Sequence, residues 1–380
     1  MIDRSGALPF RAAGQRSGAL PFRAAGPRSG ALPLRAAGPH SGALPFRTVA
    51  YRGPVSTTGP VTAPLPVVVP APAPKRVSRL GVALGITTAV LATLGVWLTW
   101  RVFVASAAGQ RVDQAAFEGA EYGRNRLWQV AEPVLEVVSI PYVAVVLVAA
   151  VIIAVVRRRG GLALQVALLV AGANITTQVL KNVVFDRPDL DATPVFANAL
   201  PSGHTTAAAS VSAALVFVVP PRARPWAAVL GAVYTSATGI STLVGGWHRP
   251  GDVVAGVLVV LAWSGLACAL ASASRPRGGP DTPSTATGQL VLTDPARTSR
   301  SGRRRASMVG VGGGLLLLAA AAAAVPAAYG MYASWTTAGD LDSRAELLVA
   351  YAGGASGVVA MSCLTFAVLL AVRQAAGRVG

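Results

Sequence analysis

Two of the three histidines in this chain of 380 residues lie where apolar segments meet polar loops. His204 stands in PSGHTT and His248 in STLVGGWHRPGD, with Asp252 four residues after His248. Two imidazoles in such positions suit a nucleophile and a proton donor. Lys181 and Arg187, in the upstream segment KNVVFDRP, add two cations. These residues together predict a site that holds a phosphate and transfers it to an imidazole nitrogen.

The segment PSGHTT also predicts an anion-binding helix start. Ser202 occupies an N-cap position, so the backbone amides of Gly203 and the residues after it would point at an anion docked over the helix. Pro250 predicts a second helix start, with Asp252 just inside it. Asp252 there either complements the helix dipole or accepts a hydrogen bond from His248, and both interpretations stay open.

Lys181 and Arg187 also have two interpretations. A guanidinium offers a fixed fork of donors that matches phosphate oxygens, and an ammonium supplies a mobile point charge. Both side chains are equally typical of residues that anchor a helix end at a membrane surface. The sequence alone leaves phosphate binding and interfacial anchoring open at these two positions.

The composition predicts a multi-pass membrane protein. Hydrophobic residues make up 53% of the chain and charged residues 13%, and the mean hydropathy is +0.55. Apolar stretches of membrane-spanning length recur along the chain. The net charge of +18 comes from basic residues in the amino-terminal tail and in short loops. An excess of Lys and Arg is typical of cytoplasmic loops. We therefore expect a lipid bilayer, and no nucleic acid, as partner.

The amino-terminal region, residues 1–74, is expected to be disordered. Residues 4–47 repeat a unit of 12 residues rich in Gly, Pro and Arg, which cannot bury a core, and a Pro-rich linker follows. A partner ligand, an anionic-lipid contact and a dispensable repeat expansion all stay open for it. The first apolar run begins only after Lys75, Arg76 and Arg79, so we expect no cleavable signal peptide at the amino terminus.

Eight membrane spans are predicted beyond this tail. Six form a core at residues 75–272, and two more lie in residues 308–380, after an Arg-rich cytoplasmic linker at 273–307. The predicted fold class is therefore all-α, a polytopic membrane helix bundle with a six-helix core plus two extra C-terminal transmembrane helices. Small residues in the last two spans suit helix packing and homo-oligomer contacts. The spans are 80–104, 135–156, 162–180, 204–219, 226–244, 253–271, 308–332 and 346–372.

The basic residues predict how these spans are oriented. Every basic cluster falls on one side of the predicted arrangement, which places both termini in the cytoplasm of a plasma-membrane protein. KNVVFDRP, PSGH and the loop of His248 emerge on the opposite, extracytoplasmic face. Both cysteines, Cys268 and Cys363, fall inside predicted spans, so neither a disulfide framework nor a cysteine metal site is expected.

The three segments KNVVFDRP, PSGH and STLVGGWHRPGD resemble the three-part motif of the type 2 phosphatidic acid phosphatase (lipid phosphate phosphatase) superfamily, which shares its helical core with vanadium haloperoxidases. The resemblance covers about residues 80–271. It implies that His248 attacks phosphorus to give a phosphohistidine, that His204 protonates the leaving oxygen and later activates water, and that Asp252 orients His248. It also implies a phosphatase core without a metal or other cofactor, in which the phosphate is bound by Lys181, Arg187, Ser202 and Gly203.

Two departures from the family pattern affect the phosphate-binding residues. The spacer between Lys181 and Arg187 has five residues, one fewer than the usual family spacing. Thr242 stands where the family has a second arginine, and it offers a hydroxyl without a charge. Arg249, next to His248, is the nearest replacement cation by sequence.

The expected function is hydrolysis of a membrane lipid phosphate, either a lipid phosphomonoester or a polyprenyl diphosphate. The alternative is a catalytically weakened relative that binds phospholipid or assists another membrane protein. Thr242 and the two extra spans motivate that alternative. A transporter is a third class, but the chain lacks paired broken helices and buried carboxylates in mid-span.

Overall fold

Helices make up nearly all of the regular structure that a computed structural model of the chain describes. The described residues are 79–137, 160–191, 198–273 and 295–375, with positions 145, 148 and 152, and no strand occurs among them. The predicted repeats, the Pro-rich linker and most of the second predicted span, 135–156, lie outside the described residues. In chain order the helices are α1 (Arg79–Phe103), α2 (Ala107–Gly119), α3 (Arg124–Val137), α4 (Gly160–Val179), α5 (Gly203–Val218), α6 (Arg224–Val244), α7 (Pro250–Ala273), α8 (Pro295–Thr336) and α9 (Arg344–Ala375).

The long apolar helices fall where the hydrophobic runs predicted them. Six helices among the described residues are long and apolar enough to cross a membrane, namely α1, α4 with the turn after it, α6, α7, the apolar part of α8, and α9. Helix α5 is a shorter apolar helix at the position of the predicted fourth span. These helices confirm the all-α membrane fold class. Helix α8 begins at Pro295, earlier than the predicted span at 308–332.

Helix α5 is the central helix of the bundle. It packs against α4, α6 and α7, and most of its residues are buried because Ala, Ser and Thr side chains let the neighbouring helices approach closely. Gly256 of α7 shows how tight this contact is, since an added Cβ would lie 2.9 Å from the carbonyl oxygen of Ser202. The Ser202 amide also donates to the Asp252 carbonyl at 2.8 Å. The first turns of α5 and α7 are therefore bonded to each other.

The two extra C-terminal helices are part of the same bundle. Helices α8 and α9 pack against each other, and α9 also contacts α2, α6 and α7. Gly330 and Gly353 allow this pairing, because a Cβ added at Gly330 would lie 2.6 Å from the Gly353 Cα. Close packing of small residues is typical of membrane helix pairs.

Helices α2 and α3 were not predicted from the sequence, which gave no element between residues 105 and 134. They are amphipathic helices, joined by the single 3-10 turn Ala120–Gly123. Both helices contain many polar residues, so their mean hydropathy is below that of a membrane span. Long apolar runs in the sequence therefore do not predict them. Helix α2 packs against α9, and α3 against α6.

The two ends of α5 lie next to different functional residues. His204 lies in the first turn of α5, whereas Phe217 lies near its last turn, about 20 Å away at the helical rise of 1.5 Å per residue. The Arg373 guanidinium lies 5.1 Å from the centroid of the Phe217 ring, and Arg224 begins the helix that follows α5. The histidine that the sequence predicts to be functional is therefore at the end of α5 opposite these arginines.

Candidate active site

The structure brings the two predicted functional histidines together. His204 comes from the first turn of α5, and His248 from the loop between α6 and α7. The centroids of their imidazole rings are 6.3 Å apart, and the ring planes are inclined at 62°. His248 is buried, while His204 is only partly buried. A group of phosphate size that contacts one ring therefore lies within reach of the other.

Asp252 fixes the orientation of His248. Its Oδ2 atom lies 3.3 Å from Nδ1 of His248 and accepts the Arg249 backbone N–H at 3.0 Å. A carboxylate acceptor at Nδ1 places the ring hydrogen there, which leaves the lone pair on Nε2. Asp252 is also in the first turn of α7. The two sequence interpretations of this carboxylate are thus compatible, because the same side chain lies in the first turn of the helix and holds the imidazole.

The start of α5 has the geometry of an anion-binding helix terminus. Ser202 is the N-cap, and its Oγ accepts the backbone N–H of Thr205 at 3.4 Å. The side-chain amide of Gln178 reaches the same place, since its Nε2 would lie 3.6 Å from a Cβ added at Gly203. Backbone amides at a helix start carry partial positive charge, so this corner of the site favours an anion.

Lys181 and Arg187 lie on a segment that three other parts of the chain hold in place. Lys181 belongs to the π-helical turn Leu180–Val184, which extends α4. The Asn198 side-chain amide donates to the Lys181 carbonyl at 3.2 Å, and the Trp100 indole N–H donates to the Asp186 carbonyl at 3.0 Å. On the other side, the Gln110 side chain donates to the Pro188 carbonyl at 2.9 Å. The segment that carries both cations is therefore fixed against α1 and α2.

The charges of these cations act on the predicted catalytic groups. Lys181 is close enough to His204 for its charge to act on that imidazole. Burial, and next the positive charge of Arg249, lower the pKa of Arg187, and Asp252 is among the charges that oppose this shift. The charge of Lys181 thus acts on His204, and the charge of Arg187 interacts with those of Arg249 and Asp252.

The side chain of Thr242 is hydrogen-bonded within its own helix. It is fully buried, and its hydroxyl donates to the Gly239 carbonyl of its own helix at 2.7 Å. Its carbonyl accepts the backbone N–H groups of Trp247 at 3.0 Å and of His248 at 3.3 Å. Thr242 therefore shapes the loop of His248 through its backbone and places no cation at this position.

Arg249 extends toward α2. Its Nε and one terminal nitrogen donate to Gln114 Oε1 at 3.0 and 2.7 Å, and its guanidinium lies 5.4 Å from the centroid of the Phe117 ring. The side chain is buried, and its charge still acts on Arg187 and on Asp252. The direction of this guanidinium depends on residues of a helix that was absent from the sequence prediction.

Asp113, also on α2, is a buried carboxylate beside the site that sequence reasoning missed. Its Oδ1 accepts the backbone N–H of Gly251 at 2.9 Å, in the first turn of α7. It also lines a cavity of about 80 Å³ between α2, α7, α8 and α9. Burial, and next the negative charge of Asp252, raise the pKa of Asp113 to about 7. A carboxylate inside an otherwise unassigned amphipathic segment was the only sequence signal for it.

This raised pKa predicts a pH-dependent stability that depends on Asp113. A carboxyl whose folded-state pKa lies near 7, above its usual value of 3.8, stabilises the fold fully below about pH 4 and loses that contribution as the pH rises through 7. Asp113→Asn, which stays neutral, should therefore gain thermal stability relative to wild type between pH 4 and pH 7. Melting curves in detergent check this, with exposed Asp340→Asn as control. A constant difference across the pH range would contradict it.

Helix α3 covers the loop that carries His248. The Arg124 Nε donates to the Val244 carbonyl at 2.9 Å, and a Cβ added at Gly246 would lie 2.5 Å from a terminal nitrogen of Arg124. Gly246 has a φ of +68°, a backbone conformation that favours glycine. The Trp128 ring meets the Trp247 ring edge to face, with 6.1 Å between their centroids. The centroid of the Trp247 ring in turn lies 5.2 Å from that of the His204 ring, so α3 contacts the residue that packs against His204.

The helix bundle thus places two imidazoles, a carboxylate and several cations at one end. Residues 162–276 match the family model of the PAP2 superfamily, and this match supports membership of that superfamily. The match confirms the family predicted from the three motifs, all of which lie inside it. Family membership indicates phosphatase-type activity on a membrane-associated substrate. No curated protein and no solved structure matches the chain.

Proposed function

We propose that this protein is a membrane phosphatase that hydrolyses a lipid phosphomonoester or a polyprenyl diphosphate through a phosphohistidine on His248. The observation that carries the proposal is the contact of 3.3 Å between His248 Nδ1 and Asp252, with the second imidazole 6.3 Å away. A nucleophile, a group that orients it and a nearby proton donor are the parts that nucleophilic catalysis needs.

In the first step, Nε2 of His248 attacks the phosphorus atom. A P–N bond forms as the P–O bond to the leaving group breaks, and His204 gives its proton to the leaving oxygen. Asp252 stabilises the positive charge that develops on the His248 ring. The products of this step are the lipid leaving group and a phosphohistidine.

In the second step, water removes the phosphoryl group. His204, now neutral, takes a proton from the water molecule as the water oxygen attacks phosphorus. The P–N bond breaks, inorganic phosphate leaves, and His248 regains its lone pair. Each residue returns to its starting protonation state, and the cycle requires no metal or other cofactor.

The surrounding groups stabilise the charge on the phosphoryl oxygens. Lys181 and Arg187 approach from the end of α4, and the free amides at Gly203 point from the start of α5. Donors preorganised in a partly dry site are worth about 10²- to 10³-fold in rate each. The positive charges of Arg187 and Arg249 act on each other. Both charges would attract a phosphate bound in this pocket.

A lipid substrate suits the position of the site at the end of apolar helices. Trp247 is 46% exposed and Val183 is 76% exposed beside the site, and exposed tryptophans are typical of a membrane interface. The arginines at the opposite end of α5 support a cytoplasmic position for that end. We therefore place the site on the extracytoplasmic face of the plasma membrane, with both termini inside.

One observation favours a second candidate, a catalytically weakened relative that binds phospholipid or assists another membrane protein. Thr242, at the position of the family's second arginine, is buried and donates its hydroxyl to its own helix. Loss of one charged donor costs about a hundredfold in rate when no other cation replaces it. This candidate predicts binding of phospholipid without turnover.

A phosphate-release panel tests the proposed function. The purified protein in detergent is expected to release phosphate from at least one of a phosphatidic acid, a phosphatidylglycerol phosphate, a polyprenyl diphosphate and a phosphorylated prenyl sugar. Release should change less than about twofold when a chelator removes divalent metals, because histidine carries the phosphoryl group. Strict dependence on a metal would contradict the mechanism. Binding to vesicles of the same lipids without release would favour the second candidate.

A further inference from the structure

We propose that α2 and α9, two helices outside the matched family segment, position the nucleophile of the proposed reaction. The positioning residues are Asp113 of α2 and Gly354 of α9. Both lie against residues 249–251, which separate His248 from Asp252. This inference rests on the proposed function, and it gives the amphipathic helix and the C-terminal hairpin a part in it.

The backbone of residues 249–251 links the nucleophile to the carboxylate that orients it. Asp252 Oδ2 lies 3.3 Å from His248 Nδ1 and accepts the Arg249 backbone N–H at 3.0 Å. One carboxylate oxygen thus serves both the imidazole and the backbone beside it. A shift of these three residues therefore moves the imidazole relative to its acceptor, and a misplacement of about 1 Å can cost about 10²-fold in rate.

Asp113 supplies an acceptor to the first turn of α7. Its Oδ1 accepts the Gly251 backbone N–H at 2.9 Å, and amides in the first turn of a helix have no acceptor within their own helix. Asp113 is 2% exposed, and its Oδ2 has no hydrogen-bond partner among the residues that the structure describes. The bond to Gly251 is therefore the contact through which this buried side chain acts on the loop.

Gln114, the next residue of α2, holds the loop on the other side of Pro250. Its Oε1 accepts two N–H groups of Arg249 at 3.0 and 2.7 Å, and its Nε2 donates to Glu118 at 2.9 Å. Arg249 and Gly251 are thus both bonded to α2, and the proline between them has a fixed φ. A loop held in this way keeps the imidazole and its carboxylate in one arrangement.

Helix α9 packs directly on Pro250. A Cβ added at Gly354 would lie 2.5 Å from Pro250 Cγ and 3.5 Å from the Ala116 Cβ of α2. Buried alanines of α2 form an apolar cluster with Leu347 and Ala350 of α9. Gly354 therefore lies where α2, α9 and the start of α7 meet, and a larger side chain there would displace Pro250 or separate the helices.

Single-turnover measurements on the best lipid of the phosphate-release panel test this role. With the protein in saturating excess, the dephosphorylated lipid forms as His248 attacks, and an unfolded fraction of the protein does not change the rate constant. Asp113→Ala removes the acceptor, so it is expected to lower this rate constant about tenfold or more and to change the half-saturating protein concentration less than about threefold. Asp113→Asn keeps an acceptor oxygen and should remain within about threefold of wild type. Asp340→Ala, which removes an exposed carboxyl, is the control and should leave the rate constant unchanged.

Two glycines of α9 provide a second, independent comparison. Gly354→Ala places a methyl group against Pro250 and should lower the same rate constant about tenfold or more. Gly357→Ala is the matched control, because its added Cβ would lie 3.9 Å from its nearest neighbour, the Ala327 Cβ. It should leave the rate constant unchanged. Alanine favours a helix over glycine, so a loss confined to Gly354→Ala would not come from a weaker helix.

Four outcomes separate this inference from its alternatives. An unchanged rate constant in Asp113→Ala would overturn the role of Asp113, and equal losses in Asp113→Ala and Asp113→Asn would overturn it by assigning the effect to charge. Equal losses in Gly354→Ala and Gly357→Ala would show that α9 only stabilises the bundle. A wild-type protein that hydrolyses no lipid of the panel would overturn the proposed function itself. Asp113→Leu, which has a similar volume and no acceptor, replaces Asp113→Ala if the alanine variant does not fold.

Discussion

His248→Ala is expected to lower phosphate release by about 10⁴-fold or more, because removal of a nucleophile eliminates the covalent route and leaves only binding and charge stabilisation. The imidazole is buried and oriented by Asp252 at 3.3 Å. A water molecule in the space left by the side chain would not replace it as an oriented nucleophile. Steady-state release from the best lipid of the panel measures this effect.

The matched control for this variant is His40→Ala. His40 is the third histidine of the chain and lies in the amino-terminal repeats, so its loss should leave release unchanged. Equal melting temperatures of the two variants in detergent would show that neither substitution unfolds the bundle. Release by His248→Ala within tenfold of wild type would contradict the nucleophile assignment.

His204→Ala is expected to lower release from an alkyl phosphate by about 10²- to 10⁴-fold, the range for loss of a general acid. An alkoxide is a poor leaving group and needs the proton that His204 supplies. A nitrophenolate leaves without protonation, so on a nitrophenyl phosphate the same variant should lose much less of the rate of the first turnover, the burst of nitrophenolate that precedes the second step. The two rates, measured in parallel, separate proton donation from simple misfolding, which lowers both.

A matched comparison sharpens this test. Trp247→Phe keeps an aromatic ring beside His204, where the present ring lies 5.2 Å away, and it should lower both rates by the same small factor. Equal losses on the two substrates in His204→Ala would contradict a proton-donor role, since the leaving group would then not matter.

The membrane helices and the motif residues could be predicted from the sequence because each depends on local information. Runs of apolar residues define the spans of α1, α4, α6, α7, α8 and α9 within a few residues. Ser202, as an N-cap followed by Gly203 and His204, specifies its helix start without help from distant residues. The alternation of basic loops then places PSGH and the loop of His248 at one end.

The arrangement of side chains around the candidate site depends on contacts between distant parts of the chain. Gln114 directs Arg249 across 135 residues of sequence, and Asp113 reaches Gly251 across 138 residues. Arg124 meets Val244 across 120 residues. All three contacts come from α2 and α3, whose amphipathic pattern is too weak to predict their packing. Side-chain direction follows from packing, so Arg249 beside His248 in sequence still points to α2.

Isolation of the covalent intermediate tests the central claim most directly. Rapid acid-free quenching of the protein with a lipid substrate labelled at the terminal phosphate is expected to yield an adduct that is stable to alkali, labile to acid, and mapped by mass spectrometry to His248. The adduct should be absent from His248→Ala and should accumulate in His204→Ala with a nitrophenyl phosphate, because that variant lacks the base for the second step. A label on any other residue, or substrate turnover by wild type with no labelled protein at any time, would contradict the phosphohistidine mechanism.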